Sequence, residues 1–363
     1  MTAASPYPLS ARLLHRLALA DPAVQRPAAE LEARLFANEL AAVTNRHPVY
    51  VAGLPRAGTT LLLELLAGLP EMATHTYRDM PFVLAPLLWE GLAGRFRRPA
   101  EAAPRAHGDG LLVHHDSPEA FEEIVWRAWW PAHYAADRIR PWPDDVAATA
   151  FAPFLRRHMR AVVARRGRDR PETPPSRYLA KANNAIARLG LLGRIVPDAV
   201  VLVPVRPPLA QARSLANQHR RFLERHDADP FSRWYMAALG HYEFGRCLRP
   251  LDMGGWLDAA PPRDARHPDF WLAYWTAAHD TLLATAPANV RFVAYEHLCT
   301  RPRTALESIG AAVGANTLAP LMAGADRIQP PPDRDDDTTP DPALLEAAEA
   351  VHARVLARDV VDG

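Results

Sequence analysis

The sequence predicts an α/β fold in which helices flank a parallel β-sheet. Short apolar segments with the character of strands alternate with longer segments whose apolar residues recur every three or four positions. This alternation is typical of parallel sheets that are covered by helices on both faces. The predicted strands are Val49–Ala52, Tyr178–Ala180, Ala199–Val205 and Val290–Ala294.

The segment Ala199–Val205 is apolar throughout, as expected for a strand that is buried on both faces. Pro204 counts against a central position for it, because proline cannot donate a hydrogen bond to the ladder. Helices are predicted after three of the strands, at Thr59–Gly68, Leu209–Arg225 and Pro302–Val313.

The chain divides into three predicted regions. Residues 1–45 form an N-terminal helical segment, and residues 46–330 form the α/β domain. Residues 331–363 hold an acidic, proline-rich loop, which we expect to be solvated, and a C-terminal helix. Within the domain, an inserted helix at residues 146–165 leads into a charged, proline-rich linker at residues 165–176.

Composition limits the classes of partner. The formal net charge is +1, so no global electrostatic attraction to nucleic acid or to an acidic membrane surface is expected. No apolar run of about 18 residues predicts a membrane span, and Arg12 and Arg16 interrupt the apolar N-terminal stretch, which is unlike a signal peptide. Two cysteines, Cys247 and Cys299, are too few for a disulfide framework, and we expect reduced thiols in a cytoplasmic protein.

The first strand leads into a glycine-bounded turn, Gly53–Gly58, and then into a helix opened by Thr59 and Thr60. The first backbone N–H groups of a helix have no partner within the helix and lie at the positive end of its dipole. Such a terminus binds phosphate or sulfate, and Gly58 lets the backbone approach the anion closely. The alternative is an ordinary strand–turn–helix connection.

The spacing of Gly53 and Gly58 matches a Walker A loop, which predicts a P-loop-like core. A Walker A loop continues with Lys and then Ser or Thr, whereas Thr59 stands at the lysine position here. Arg56 supplies the cation from within the loop. The loop therefore suits an anion but lacks the usual apparatus for a nucleoside triphosphate.

The motif Pro55-Arg-Ala-Gly-Thr-Thr60 resembles the loop of sulfotransferases that use 3′-phosphoadenosine 5′-phosphosulfate (PAPS). The resemblance implies that the backbone of Ala57, Gly58, Thr59 and Thr60 binds the 5′-phosphosulfate. It also implies that Arg56 neutralises charge on the departing phosphate. PAPS would be a co-substrate, and no metal ion would be required.

A second match follows the strand Ala199–Val205. Arg206 stands at the strand end, where ligands bind in open α/β sheets, and Ser214 follows eight residues later. Alone, this arrangement is more typical of a surface or ion-pair arginine. Sulfotransferases carry an Arg and a Ser at this spacing, both on the 3′-phosphate, and the resemblance assigns that role here. Pro207 stands where the family usually has Asp, which puts the local geometry in question.

Two further segments support the resemblance, which covers residues 48–314. Tyr295 takes the position of a family tyrosine that lies near the adenine, and His297 replaces an Asp of that motif. Lys181 resembles a family lysine at a strand end beside the reacting sulfate, with Asn183 and Asn184 as neighbours.

A hydroxyl acceptor needs a general base. Related sulfotransferases often place a Glu after the first helix, and Asp79 resembles it with a shorter side chain, so we predict Asp79 as the base and His75 as the second choice. The equally weighted alternative is that Asp79 pairs with an arginine and is structural. The run Val113-His-His-Asp116 has no second cluster at metal-ligand spacing and predicts no metal site.

Three functions stay open: a PAPS-dependent sulfotransferase, a P-loop-like nucleotide kinase or NTPase, and a non-catalytic nucleotide-binding protein on the same fold. The sequence favours the first and does not identify the acceptor or the oligomeric state. The segments expected to shape acceptor choice are Tyr77–Asp116 and Phe231–Phe270.

Overall fold

A parallel sheet forms the centre of the computed structural model, which describes residues 9–93, 103–104, 112–113, 116–259, 263–329 and 338–361. Within these residues the sheet has five strands in the order β2-β5-β1-β6-β7, and β3 and β4 form a separate antiparallel pair. The strands are β1 Val49–Ala52, β2 Met72–Ala73, β3 Ala103–Pro104, β4 Leu112–Val113, β5 Arg177–Ala182, β6 Val200–Val205 and β7 Val290–Ala294.

Helices surround the sheet and also build the N-terminal and C-terminal segments. In the described residues they are α1 Leu9–Leu19, α2 Arg26–Leu35, α3 Ala37–Ala42, α4 Thr59–Ala67, α5 Pro86–Ala93, α6 Glu122–Trp129, α7 Phe151–Asp169, α8 Leu189–Ile195, α9 Pro208–Ala228, α10 Pro230–Leu239, α11 Trp256–Ala259, α12 Pro268–Thr285, α13 Tyr295–Thr300, α14 Pro302–Val313, α15 Ala319–Ala323 and α16 Pro342–Leu356. No described helix is long and apolar enough to cross a membrane.

Strand β1 shows why both faces of the sheet are covered. Its four residues are fully buried, and alternate side chains enter two different clusters. Val49 and Val51 pack with leucines of α4 and α14, whereas Tyr50 and Ala52 join a larger cluster built from α6, α7, α9 and α12. The predicted α/β fold with a parallel sheet between helices is therefore confirmed.

Strand β6 lies between β1 and β7, so the expectation that Pro204 weighs against an interior strand was wrong. The backbone nitrogen of Val200 donates to Pro48 on the β1 side. Alternate residues face the same neighbour, so the nitrogen of Pro204 also faces β1. The paired register with β1 ends at Leu202 opposite Val51. The missing N–H group of Pro204 therefore lies beyond the last residue of β6 that pairs with β1, and no ladder hydrogen bond is lost.

Helix α7 extends through the first part of the predicted charged linker and ends at Asp169. The linker prediction failed at residues 165–169 because two of its arginines are buried. Arg165 is 1% exposed and pairs with Glu90 at 3.1 Å and with Asp169 at 2.9 Å. Arg166 is also buried and pairs with Asp79.

The C-terminal segment packs on the α/β core. Helix α16 contributes Ala348, Val351 and Val355 to the same cluster as α9 and α12. Beyond it, Asp359 is buried and accepts a hydrogen bond from the backbone nitrogen of Ala294 at 2.9 Å, which fixes the end of β7. The predicted acidic loop lies mostly outside the described residues, at positions 330–337.

Candidate active site

The turn after β1 has a backbone conformation that suits anion binding. Gly53, Arg56 and Gly58 have φ values of 141°, 69° and 88°, and helix α4 begins at Thr59 with Gly58 as its N-cap. A Cβ atom on Gly58 would lie 3.0 Å from the ring of Tyr295. Glycine is therefore required both by the left-handed conformation and by the close approach of this ring. The first N–H groups of α4 are presented at the carboxyl edge of the sheet.

A buried glutamine supports the turn from helix α9. Gln211 is fully buried, and its Nε2 donates to the carbonyl oxygen of Pro55 at 2.8 Å. Its Oε1 accepts a hydrogen bond from Nε1 of Trp275 in α12 at 2.9 Å. Both ends of the amide are thus used, and the turn is tied to two helices on one face of the sheet. The sequence reasoning missed this residue, since no spacing signals the contact.

The two segments predicted to bind the nucleotide lie together. Nε of Arg56 donates to Oγ of Ser214 at 3.1 Å, and Nη1 of Arg206 approaches the carbonyl oxygen of Arg56 at 3.4 Å. Helix α9 begins at Pro208 with Pro207 as its N-cap, so Pro207 is compatible with the strand–helix junction that presents Arg206 and Ser214.

Tyr295 closes the same site from helix α13. The guanidinium carbon of Arg206 lies 5.5 Å from the centre of the Tyr295 ring, within the range of a cation–π contact. Burial raises the pKa of Tyr295 to about 12, so its hydroxyl is neutral at physiological pH. Burial lowers the pKa of Arg206, but an arginine remains charged in proteins. Among the described residues, no carboxylate forms an ion pair with Arg206.

The end of β5 lies beside the turn. Lys181 is 6% exposed and pairs in register with Val51 of β1, so it reaches the same edge of the sheet. Oγ1 of Thr59 donates to Oδ1 of Asn183 at 3.4 Å, and Nδ2 of Asn183 donates to Oε1 of Glu243 at 2.8 Å. A chain of hydrogen bonds therefore connects the start of α4 to Glu243, which no sequence motif had indicated.

A pocket lies next to this chain of hydrogen bonds. Its walls come from the turn, from the end of β5, from the segment after α10 and from α12, and they include Pro55, Asn183, Glu243, Pro250, Trp271 and Tyr274. Part of the wall thus belongs to the segment Phe231–Phe270, which the sequence analysis had assigned to acceptor choice.

Asp79 lies in a buried polar cluster after the first helix. It is 1% exposed, forms an ion pair with Arg166, and accepts hydrogen bonds from Nδ1 of His75 at 2.9 Å and from the backbone nitrogen of Thr76 at 3.1 Å. Burial favours the neutral acid, but Arg166 and His75 outweigh it and hold the pKa of Asp79 well below its usual range. These contacts match the structural alternative that the sequence left open.

His75 is engaged at both ring nitrogens. Its Nδ1 contacts Asp79, and its Nε2 lies 3.0 Å from Nε2 of His158. Burial, together with the neighbouring His75, lowers the pKa of His158 to about 3, so His158 is neutral. In the contact between the two Nε2 atoms one ring donates and the other accepts. Both ring nitrogens of His75 are therefore engaged inside the buried cluster.

No cluster of three or more metal-binding side chains occurs in the described part of the chain. His114 and His115 of the predicted histidine run lie outside the described residues, and Asp116 accepts a hydrogen bond from Arg78 at 2.7 Å. Both cysteines are free thiols.

The fold and this site together define an α/β protein with a P-loop-like turn at the carboxyl edge of its parallel sheet. The family described as the sulfotransferase family matches residues 48–251, and the chain belongs to this family. The match includes the turn, Lys181, Arg206 and Ser214, and it ends before Tyr295. No curated protein matches the chain.

Two solved structures of bacterial sulfotransferases share the fold. Sulfotransferase STF9 from Mycobacterium avium is 15% identical, and the alignment covers 98% of this chain and 88% of that chain with a TM-score of 0.51. Sulfotransferase STF1 from Mycobacterium tuberculosis H37Rv is also 15% identical. Its alignment covers 98% of this chain and 88% of that chain, with a TM-score of 0.51.

Proposed function

We propose that the protein transfers a sulfuryl group from PAPS to a hydroxyl or amine acceptor. The observation that carries the proposal is the convergence of Arg56, Ser214 and Arg206 around the turn that opens α4. Two guanidinium groups, a hydroxyl and a helix N-terminus meet there, and each of these groups favours a phosphate or sulfate. Membership of the sulfotransferase family supports the reaction type.

In the proposed complex the donor has one orientation. The backbone from Ala57 to Thr60 would hold the 5′-phosphosulfate, as expected for a helix N-terminus with a glycine at its N-cap. Arg206 and Ser214 would hold the 3′-phosphate from the next strand and helix. Tyr295 would lie against the adenine.

The chemistry needs positioning and charge stabilisation. By analogy with phosphoryl transfer, the acceptor oxygen attacks sulfur in line while the bond from sulfur to the bridging oxygen breaks. Negative charge then develops on the bridging oxygen. Arg56, Lys181 and the first N–H groups of α4 would stabilise this charge. A metal ion is not required by this arrangement.

Asp79 and His75 receive a different role from the one predicted first. A carboxylate with a lowered pKa, held by an ion pair to Arg166, is a poor proton acceptor. We propose that Asp79, His75 and Arg166 hold the segment after α4 against α7. The assignment of either residue as the base stays a prediction that mutation has to test.

The alternative functions have less support. A kinase or NTPase needs a lysine after Gly58, where Thr59 stands. A non-catalytic nucleotide-binding protein would keep the same anion site but would not transfer the sulfuryl group. The cytoplasmic location stays a prediction.

Thermal stabilisation by adenosine 3′,5′-bisphosphate, compared with magnesium–ATP, tests the proposal. A ligand that binds only the folded protein raises its apparent stability. We expect the bisphosphate to raise the Tm of the wild type and of Arg354→Ala, a control at an exposed ion pair. The response should be lost in Arg206→Ala. Stabilisation by magnesium–ATP alone would overturn the proposal in favour of a kinase or NTPase.

A further inference from the structure

We infer that the pocket beside the turn receives the hydroxyl group of the sulfuryl acceptor, and that Glu243 is the base that takes its proton. The inference rests on the proposed function and deepens it. Glu243 is 60 residues from Asn183 in sequence, yet the two side chains are hydrogen-bonded at 2.8 Å. Because Asn183 also contacts Thr59, Glu243 is two hydrogen bonds from the start of α4.

The position of the pocket fits an acceptor. Its wall includes Pro55 of the turn and Asn183 at the end of β5, so it opens beside the place proposed for the phosphosulfate. In an in-line transfer the acceptor has to lie next to the sulfuryl group and away from the leaving phosphate. Arg206 and Ser214, proposed for the 3′-phosphate, do not line this pocket.

The pocket has a volume of about 10 Å³, which is room for one water-sized group, so it fits the hydroxyl end of an acceptor. Nε1 of Trp271 donates to the carbonyl oxygen of Ala265 at 2.7 Å, and the hydroxyl of Tyr274 accepts a hydrogen bond from the backbone nitrogen of Leu251 at 3.2 Å. The Trp271 donor is therefore used, the Tyr274 hydroxyl already accepts one hydrogen bond, and both rings offer apolar surface. Together with the carboxylate of Glu243, these walls suit an uncharged hydroxyl group.

Glu243 differs from Asp79 in its surroundings. Asp79 is fully buried and ion-paired, whereas Glu243 is half-buried, lines the pocket and makes no ion pair within the described residues. Its Oε1 is oriented by Asn183, and such a fixed carboxylate can accept a proton from a bound hydroxyl. The nearby cation Arg249 packs on the ring of Tyr242, with its guanidinium carbon 4.3 Å from the ring centre.

The step balances without a further reactant. The acceptor oxygen gives its proton to the carboxylate of Glu243 and forms a bond to sulfur. The bond from sulfur to the bridging oxygen of PAPS breaks, and its electron pair leaves with adenosine 3′,5′-bisphosphate. The products are the sulfate ester, the bisphosphate and a protonated Glu243, which then releases the proton to water.

Transfer from PAPS to 2-naphthol, measured for the wild type, Glu243→Gln and Glu243→Ala, tests the inference. Glutamine keeps an oxygen for the bond from Asn183 but cannot take the proton. General-base catalysis contributes roughly 10²- to 10⁴-fold, so we expect kcat to fall at least ~100-fold in Glu243→Gln. Added formate should restore part of the activity of Glu243→Ala, which a purely structural role would not predict. Glu224→Gln, on the exposed surface of α9, is the matched control.

Bisphosphate binding separates failure of this inference from failure of the proposed function. We expect adenosine 3′,5′-bisphosphate to stabilise Glu243→Gln as much as the wild type, because the donor site is intact. Transfer at the wild-type rate by Glu243→Gln would overturn the role of Glu243. A wild type that binds the bisphosphate but does not use 2-naphthol would overturn this pocket as the place of an acceptor hydroxyl. A wild type that does not bind the bisphosphate would instead overturn the donor site, and this inference with it.

Discussion

Arg56 and Ser214 are 158 residues apart in sequence, and Nε of the arginine donates to Oγ of the serine at 3.1 Å. This contact joins the turn after β1 to the helix after β6. Because the two strands are neighbours in a parallel sheet, their carboxyl ends meet at one edge. The contact therefore brings two distant segments together at the proposed donor site.

Ser214→Ala should weaken the binding of adenosine 3′,5′-bisphosphate roughly 10- to 150-fold, since a hydrogen bond to a charged group is worth about 1.5–3 kcal/mol. The side chain is only half-buried, so the free energy of unfolding should change little. Isothermal titration and urea unfolding measure the two effects. Unchanged affinity would remove Ser214 from the donor site.

Gly58→Ala should destabilise the protein for two separable reasons. The left-handed φ of 88° costs about 1–2 kcal/mol for an L-residue, and the new Cβ would crowd Tyr295 at 3.0 Å. In Tyr295→Ala the crowding is absent, so the additional loss caused by Gly58→Ala should be smaller in that background. Equal losses in both backgrounds, measured by urea unfolding, would show that the ring does not limit the turn.

Asp79→Asn should lower the free energy of unfolding by up to about 3–5 kcal/mol, because the buried Arg166 then keeps only its longer contact to Asp169 at 3.4 Å. Asp137→Asn, at an exposed carboxylate, is the control and should change it little. Normal stability of Asp79→Asn with complete loss of sulfuryl transfer would contradict this structural role and restore Asp79 as the base.

The same ion pair predicts a dependence on acid. The pKa of Asp79 in the folded protein lies below its unfolded value. The pair therefore contributes stability above about pH 4, and this contribution is lost as the pH falls further toward the folded pKa. Urea unfolding between pH 5 and pH 3 should show a smaller loss in Asp79→Asn than in the wild type. Equal losses would contradict the lowered pKa.

Buried His279 should make the protein less stable in mild acid. Burial lowers its pKa to about 4, so the unfolded chain binds a proton below about pH 6.5 while the folded protein does not. When the pH falls from 7.5 to 5.5, this histidine should lower the free energy of unfolding by about 1 kcal/mol. His279→Gln should lose less stability over this range than the exposed control His47→Asn. Equal losses would contradict the lowered pKa.

The parts of the fold that local pattern determines were predicted well. The strands Val49–Ala52 and Val290–Ala294 have the predicted bounds, because each is a short apolar run bounded by turn residues. The strand after residue 176 is longer than predicted since Arg177 and Lys181, although charged, are buried in it. The predicted bounds covered only Tyr178–Ala180, whereas the strand also includes the buried charged residues on either side.

In the candidate site, too, the residues set by local spacing were predicted and those set by distant contacts were not. Gly58, Arg206 and Ser214 are recognisable because a turn and a strand–helix junction have fixed local spacings. Gln211 and Glu243 contact segments that are distant in sequence, and no sequence motif marks such contacts. The charge and position of Asp79 suggested a base, but its partner Arg166 is 87 residues away and became visible only in the fold.

The most direct test of the donor site is to titrate the wild type and Arg206→Ala with adenosine 3′,5′-bisphosphate and with adenosine 5′-phosphate. The two ligands differ only in the 3′-phosphate. A charged hydrogen bond of about 1.5–3 kcal/mol predicts that the wild type binds the bisphosphate at least ~10-fold more tightly. This preference should disappear in Arg206→Ala. Equal affinity of the wild type for both ligands would contradict the assignment of Arg206 to the 3′-phosphate and, with it, PAPS as the donor.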